Sequence, residues 1–424
     1  MPSADGGSGL QSGAASPAPG ERSWPDAGPS RIPNWVYTDP DIFAREQQRI
    51  FNGPGWLYVC LEVEIRNPGD FKRSRLGTRE VVAVRGADGG VGVLLNRCAH
   101  RSMQFCTANR GTVTEFVCPY HQWTYDLDGK LFGVPFRRGL RGRGGMPEDF
   151  RPEEHGLQRL AVAARHGVVF ASFAQPNETL EEYLGPRILG WFDRTFDGRE
   201  LKVLGYQRQR LPGNWKLYLE NNRDPYHASL LHVFLVTFGL FRLDQKSATE
   251  MDETGRHGVL VNQRGEQKLN DATAQMRAYR DGLRLADPRL IDPVREYPGE
   301  ATVVIQTLWP NLVVQQQSNG LAMRQVVPLD AHHFDLVWTH FGYADDSPEM
   351  TERRIRQANL FGPAGYVSVD DGEAMLLSQA GIVADDEAEC LVEMGGREAV
   401  SVPHTVTETA IRGLYRYYRA VMGL

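Results

Sequence analysis

The stretch Asp224-Pro-Tyr-His227-Ala-Ser-Leu-Leu-His232 places one acid and two imidazoles within nine residues. Those groups are donors for a divalent transition metal. In a regular helix, residues five apart point about 140° away from each other, so an uninterrupted helix would not aim both histidines at one ion. Shared ligation therefore predicts a break or π-bulge near the histidines, and Pro225 already argues for irregularity at the helix entrance. The competing reading is a pair of satisfied core histidines. Two histidines and one carboxylate on one face of Fe(II) would leave positions open for O₂. Asp224 and the acids of "VSVDDGEAMLLSQ", namely Asp370, Asp371 and Glu373, all qualify as that carboxylate. The same acids would also suit the first turn of a helix, as caps and dipole partners.

A second cluster lies upstream. Cys98-Ala-His100 is followed, after seventeen residues, by Cys118-Pro-Tyr-His121. Two thiolates and two imidazoles suit a tetrahedral Zn²⁺. They equally suit a [2Fe–2S] cluster with both cysteines on one iron and both histidines on the other. Structural zinc stabilises modules with little core of their own, whereas these pairs sit in a β-rich segment of more than a hundred residues, which favours the iron–sulfur reading. The clusters complement each other chemically: one stores an electron, and the other needs electrons to cleave O₂.

The elements that must position these groups fall into two parts. The 424 residues suit two domains with ample core. A net charge of −6 provides no basic field for nucleic acid or anionic lipid. Five cysteines in so long a chain make no disulfide framework and fit a reducing cytoplasm, and no apolar run is long enough to span a bilayer. Residues 1–30, rich in Gly, Ser, Ala and Pro, read as a flexible tail, not a signal peptide. Residues 31–55 read as a helical segment, with Asp39 capping a helix that begins at Pro40. Residues 56–174 alternate short β-branched runs with Gly, Asn and Asp clusters, the signature of an all-β domain of hairpins. Residues 175–424 mix strands such as "ATVVIQTLWPNLVVQQQ" with helices such as "TETAIRGLYRYYRAVM", the pattern of an α+β domain. The charge-rich piece Asp244–Arg289 reads as long surface loops.

In combination, Cys98-x-His100…Cys118-x2-His121 and Asp224-x2-His227-x4-His232 resemble the Rieske non-haem iron aromatic-ring hydroxylating oxygenases, in their large (α) subunit. The resemblance covers nearly everything from Arg31 to Leu424. It implies an N-terminal all-β Rieske [2Fe–2S] domain followed by an α+β helix-grip catalytic domain. It implies Cys98, His100, Cys118 and His121 as cluster ligands, and His227, His232 and Asp371, the acid directly before the Gly, as ligands of a mononuclear Fe(II). Asp224 would then carry electrons between centres, bridging a Rieske histidine of one subunit to His227 of its neighbour. The implied partners are a small β subunit in an (αβ)₃ assembly, a ferredoxin, and a reductase that draws on NADH. The segments "RIPNWVYT", "NPGDFKR", "GVPFRRG", "GGMPEDF", "VWTHFGYADD" and "NLFGPAGYVSVDDGE" are similar to the subgroup acting on aromatic carboxylates. That subgroup includes salicylate 5-hydroxylase, anthranilate dioxygenase and terephthalate dioxygenase types, the first foremost, which implies conversion of salicylate to gentisate. Asn222 beside the ligand helix, Gln316 and Arg324 are the expected substrate contacts, the guanidinium suiting a benzoate carboxylate. Ring dioxygenation of anthranilate or a 2-halobenzoate is the alternative within the class. A zinc-dependent hydrolase with a structural zinc site is the alternative outside it, although no HExxH motif is present.

Overall fold

The computed structural model describes residues 22–264 and 274–424. Order begins ahead of Arg31: Trp24 is buried, its ring 6.3 Å from Trp35 and 5.7 Å from Tyr415. The large apolar ring has a site to fill, which a reading of tail composition overlooks; residues 1–21 of the expected tail lie outside the described residues. Arg31–Pro33 pairs antiparallel with Glu389–Leu391, stitching the start of the ordered chain to its far end. Asp39 caps the helix Pro40–Glu46 as its spacing predicts, accepting from the backbone N–H groups of Asp41 and Ile42.

The chain from Leu57 to Ser172 is built of three small antiparallel sheets. They do not share one core. The sheet of Leu57–Leu61, Ala161–Arg165 and Val168–Ser172 contributes Val59, Cys60, Val169 and Ala171 to the main core of the molecule. Phe71, Val84, Phe105, Phe116, Trp123 and Tyr125 form a separate apolar cluster around Cys98 and Cys118.

Beyond Leu201 the centre is a seven-stranded antiparallel sheet. Its order is Leu201–Pro212, His333–Tyr343, Gly320–Pro328, Leu312–Gln317, Val303–Leu308, Gly258–Asn262 and Ser247–Met251. The last two strands correct the expectation of long loops over Asp244–Arg289. Neither short run alternates cleanly, and it is the hydrogen-bond ladder supplied by the neighbouring strand Val303–Leu308 and passed from Gly258–Asn262 to Ser247–Met251 that makes them strands. Residues 265–273 of that stretch lie outside the described residues.

Both faces of the sheet are covered, so nearly every residue of its central strands is buried. On one face the helix Leu180–Thr195 receives the Gln306 amide at the carbonyl of Trp191. There too Gln325 bonds Tyr58 O, Ser74 Oγ and Arg75 O, locking the N-terminal β region onto the sheet. Asn311, between two central strands, closes both the N–H and the C=O of Tyr58 at 2.9 and 3.0 Å. The other face meets the helices Trp215–Asn221, Pro348–Phe361 and Ser368–Ala384, and the chemistry lies there.

Candidate active site and metal centres

The two histidines reach one point because the helix carrying them stops. Asp224 is the N-cap of Pro225–Leu231, accepting from Tyr226 N at 2.9 Å and His227 N at 3.2 Å, with Pro225 in the first turn. His232 leaves the helix with φ −86° and ψ 92°, and a new helix, Val233–Thr237, starts directly after it. A break, not a π-bulge, thus brings the imidazoles together, their ring centres 5.4 Å apart. Arg223 braces the preceding turn from below, donating to the carbonyls of Gly255, Arg256 and Ala410.

The third donor comes from the helix Ser368–Ala384, whose buried positions Ser368, Asp371 and Met375 follow helical spacing. That spacing turns Asp371 inward. Its Oδ1 lies 3.4 Å from His227 Nε2 and 3.2 Å from His232 Nε2. Ligand atoms of His227, His232 and Asp371 all fall within 4.8 Å of one another, the sole such group of three among the described residues. Asp370, one residue back, sits behind His232, with Oδ2 3.2 Å from Nδ1. Asp224 Oδ2 lies 3.3 Å from His227 Nδ1, and Asn221 Nδ2 donates to Asp371 Oδ1 at 3.0 Å. Glu373 is exposed and takes no part. Each ring thus turns Nε2 toward the shared centre; His232 Nδ1 is hydrogen-bonded to Asp370, the arrangement that fixes orientation and basicity in metal-binding histidines, whereas His227 Nδ1 lies beside Asp224 without a hydrogen bond.

The electrostatics favour a cation. Burial alone would lower the pKa of His227, but Asp224 and Asp371 outweigh it and lift it to about 10. His232 moves in the same direction, against burial, through Asp370 and Asp371. Burial works against the Asp371 carboxylate too, yet the two imidazoles hold it well below the usual carboxylate range. An N₂O donor set with an open side suits Fe(II).

The second centre is formed by two loops of the same design. In one, Ser102 N donates to Cys98 O and Cys98 N to Met103 O; in the other, Gln122 N donates to Cys118 O and Cys118 N to Trp123 O. Each loop turns over at a residue with positive φ, Ser102 at 59° and Gln122 at 56°. The repeat brings Cys98 and Cys118 together in the apolar cluster, and His100 and His121 together at the surface, ring centres 4.5 Å apart. Burial raises the Cys118 thiol and the neighbouring Cys98 adds to this, while the backbone N–H groups of Tyr120 and His121 oppose it. The hydroxyl of Tyr125 accepts from Ala99 N and lies 3.1 Å from Cys98 Sγ, so its own proton is free for that sulfur. His100 stacks on Trp123 at 4.6 Å, and Nδ1 of His121 is buried without a hydrogen-bond partner. Among the described residues the four do not close to the spacing one ion requires. Paired sulfurs inside, paired imidazoles outside and an unpartnered nitrogen suit a two-iron cluster better than zinc.

Beside His227, His232 and Asp371 lies a cavity walled by Leu235, Phe241, Leu260, Val303, Ile305 and Phe361. Asn222 and Arg324 line it as expected. Asn222 spends its amide on Tyr218 O, and Arg324 Nη1 donates to Tyr218 Oη at 2.8 Å. Gln316 does not line it. Three glutamines run in a row at 315–317, and strand alternation turns the middle one to the opposite face, where it accepts from Arg194 and donates to Thr302 O and Ser318 O. Gln315 and Gln317 face the cavity instead. The parity of a strand is set by its partners, so the residue string alone could not choose between them. Asn221, Gln315 and Gln317 are the site residues that sequence reasoning passed over, although each adjoins a residue it named; Asp370 was named as a candidate ligand and instead backs His232.

Residues 198–424 match the model of the ring hydroxylating alpha subunit catalytic domain, and residues 55–142 that of the Rieske [2Fe-2S] domain. The chain is 51% identical over 411 residues to the large oxygenase component of salicylate 5-hydroxylase from Ralstonia sp., covering 96% of this chain and 97% of that one. It is 43% identical to the anthranilate 1,2-dioxygenase large subunit of Burkholderia cepacia, covering 93% and 94%. The crystal structure of naphthalene 1,2-dioxygenase from Rhodococcus sp. shares the fold at a TM-score of 0.77 and 23% identity, over 92% of this chain and 94% of that one. The family carries a Rieske [2Fe–2S] cluster and a mononuclear iron, supplied with electrons from NADH through a reductase and a ferredoxin. An all-β cluster-binding region, a helix-covered antiparallel sheet and a His–His–Asp site beside an apolar cavity thus occur together in a chain that belongs to the Rieske-type ring-hydroxylating oxygenase alpha subunits.

Proposed function

We propose that this chain is the large subunit of a terminal oxygenase that hydroxylates salicylate to gentisate. One observation carries the substrate class: a buried arginine, Arg324, lines the apolar cavity beside His227, His232 and Asp371. A guanidinium in such surroundings is matched by a carboxylate on an otherwise apolar ring. Identity to a salicylate 5-hydroxylase component over nearly the whole chain supports the choice within that class.

Cys98 and Cys118 would hold one iron of the cluster and His100 and His121 the other; His227, His232 and Asp371 would hold the mononuclear iron. The bound irons supply electron storage and O₂ activation. The chain's own residues then have defined tasks. Arg324 fixes the carboxylate, the apolar wall excludes water and presents the ring edge to the His–His–Asp site, and Asp370 holds the His232 imidazole in orientation while Asp224 stands beside that of His227. Asp224, part-exposed at the helix entrance, would also accept a hydrogen bond from a Rieske histidine of a neighbouring subunit, linking the centres across an interface. That role calls for a trimer of αβ units with a small β subunit, served by the ferredoxin and reductase, and we assign the assembly to the cytoplasm. Among the described residues no helix is long and apolar enough to cross a membrane.

The test is product identification. The protein, co-produced with its β subunit, would receive NADH, reductase and ferredoxin, with salicylate, anthranilate, 2-chlorobenzoate, terephthalate and naphthalene offered separately. Gentisate from salicylate is the expected product. Catechol from anthranilate or 2-chlorobenzoate, with salicylate untouched, would replace the assignment by a ring dioxygenase.

A further inference from the structure

On the face of the sheet opposite the His–His–Asp site, a cleft of about 720 Å³ separates the strand Asp70–Leu76 from the edge strand Leu201–Pro212. Six cationic side chains line it, Lys72, Arg73, Arg75, Arg110, Arg208 and Arg210, against three carboxylates, in a chain whose net charge is −6. Each carboxylate is already engaged: Glu64 with Lys72 at 2.7 Å, Glu80 with Arg75 at 2.7 Å and Arg73 at 3.7 Å, and Asp335 with Arg210 at 2.8 Å. Arg110 and Arg208 are exposed and, among the described residues, pair with no carboxylate. Arg110 and Lys72 both stand 5.5 Å from the ring of Tyr206, so one aromatic face gathers two cations. A concave wall with surplus charge of one sign focuses its field on a partner of the other sign.

The cleft adjoins the cluster loops. Gln104, Asn109 and Arg110 in its wall run on directly from the loop of Cys98 and His100, and Phe105 and Cys106 between them are buried in the apolar cluster that holds Cys98 and Cys118. Arg73 ties this segment to its own strand, donating from its backbone N–H to Asn109 O and from its guanidinium to Asn109 Oδ1, both at 2.8 Å. In the proposed assembly the edges of His100 and His121 meet Asp224 of a neighbouring subunit, so an electron donor has to approach the cluster from another side. A second basic feature packs on the same apolar cluster, the turn bearing Arg137, Arg138, Arg141 and Arg143. That turn also exposes Phe136 by 69% and Leu140 by 60%, and exposed apolar side chains suit a lasting, desolvated contact between subunits. Redox encounters are small, polar and steered by charge. The cleft matches that description, since Tyr206 is the one large apolar side chain exposed in its wall.

We propose that this cleft is the docking site for an acidic face of the reduced ferredoxin, with Arg110 and Arg208 supplying the positive charge that the cleft's own carboxylates leave over. One electron then passes from the ferredoxin, which is oxidised, to the cluster held by Cys98, His100, Cys118 and His121, which is reduced; no bond forms or breaks. The inference rests on the reading of the chain as an oxygenase subunit served by a ferredoxin, and on no particular aromatic substrate.

The test uses the αβ protein loaded with both iron centres and the ferredoxin that supports its turnover, in the absence of aromatic substrate. Ferredoxin affinity is measured by calorimetry, and reduction of the cluster is followed in a stopped-flow spectrometer with reduced ferredoxin or with dithionite. Both target arginines are exposed and outside any ion pair, so the combined variant Arg110→Glu, Arg208→Glu is expected to fold and assemble normally. Its ferredoxin affinity and its reduction rate at low ferredoxin should fall roughly tenfold or more, with reduction by dithionite unchanged. Raising salt from about 0.05 to about 0.5 M should weaken ferredoxin binding to the parent and leave the variant nearly flat. The comparison variant Arg138→Glu, Arg141→Glu should keep ferredoxin affinity within about twofold of the parent. Unchanged affinity and salt dependence in the first variant, or a loss confined to the second, would overturn the inference. So would dissociation of the αβ assembly in the first variant, which would mean that a subunit covers the cleft. A parent that binds ferredoxin in this way yet leaves salicylate untouched would count against the substrate assignment alone.

Discussion

At the scale of single residues, two carboxylates side by side on one helix, Asp370 and Asp371, have separate duties. Asp371 Oδ1 faces both imidazole Nε2 atoms, and Asp370 reaches only the far nitrogen of His232. Asp370→Ala should therefore lower iron affinity about 10–100-fold, the usual effect of losing a ligand's orienting partner, while Asp371→Ala should empty the site. Metal analysis after dialysis against graded chelator would distinguish the two, and the [2Fe–2S] absorbance should be unchanged in both. A second acid offers a pH test. Glu220 is partly buried, and desolvation lifts its pKa to about 7 against the bonds from Tyr415 and Tyr37 that favour the charged form. An acid raised in the folded state keeps its proton there after the unfolded chain has lost it, so stability falls as pH rises from about 4.5 to 7 and stays reduced above. Glu220→Gln should remove that loss, up to about 3 kcal/mol for a shift of this size. Its melting temperature should exceed that of the parent at pH 8 and converge with it near pH 5.

At the scale of elements, the segment from Trp215 to Thr237 works because it is interrupted. One continuous helix would point His227 and His232 apart; the stop at His232 and the Asp224 cap set both. Asp224 thus has a structural duty as well as the proposed electron-carrying one, and a substitution separates them. Asn caps a helix as well as Asp does. Asp224→Asn should therefore keep the melting temperature and both metal contents, yet abolish turnover with salicylate. Asp224→Ala should in addition cost about 0.5–2 kcal/mol of stability through the lost cap. Full turnover in the Asn variant would remove the electron-carrying role from Asp224.

At the scale of the whole molecule, the division of cores matters more than the division of sequence. The strands Leu57–Leu61 and Val168–Ser172 are integrated with the main core, while the two ligand loops stand on their own apolar cluster. Extraction of the [2Fe–2S] cluster should accordingly raise hydrogen exchange across residues 98–106 and 116–125. Strands Leu57–Leu61 and Val303–Leu308 should keep their protection, which mass-detected exchange would resolve. Exchange spreading into those strands would mean that the two cores fold as one.

How much of this was legible in the residue string follows from the range of the physics involved. Metal chemistry is carried by side-chain type, and short loops fix their own geometry, so Cys98, His100, Cys118, His121, His227 and His232 could be named from types and spacing. Helix caps such as Asp39 are local too, set within a turn or two, whereas the choice of Asp371 over Asp370 came from the family resemblance and not from local pattern. Other features depend on distant partners. Whether Gln315, Gln316 or Gln317 reaches the cavity depends on strand register, whether Ser247–Met251 and Gly258–Asn262 are strands depends on the sheet beside them, and whether Trp24 is ordered depends on Tyr415, almost four hundred residues away. The sequence by itself determined the candidate ligands and the class of chemistry, because those reside in side-chain types close along the chain. Only the tertiary structure decided which polar atoms face the substrate, because a strand's two sides are chemically equal until neighbouring strands and helices bury one against the site.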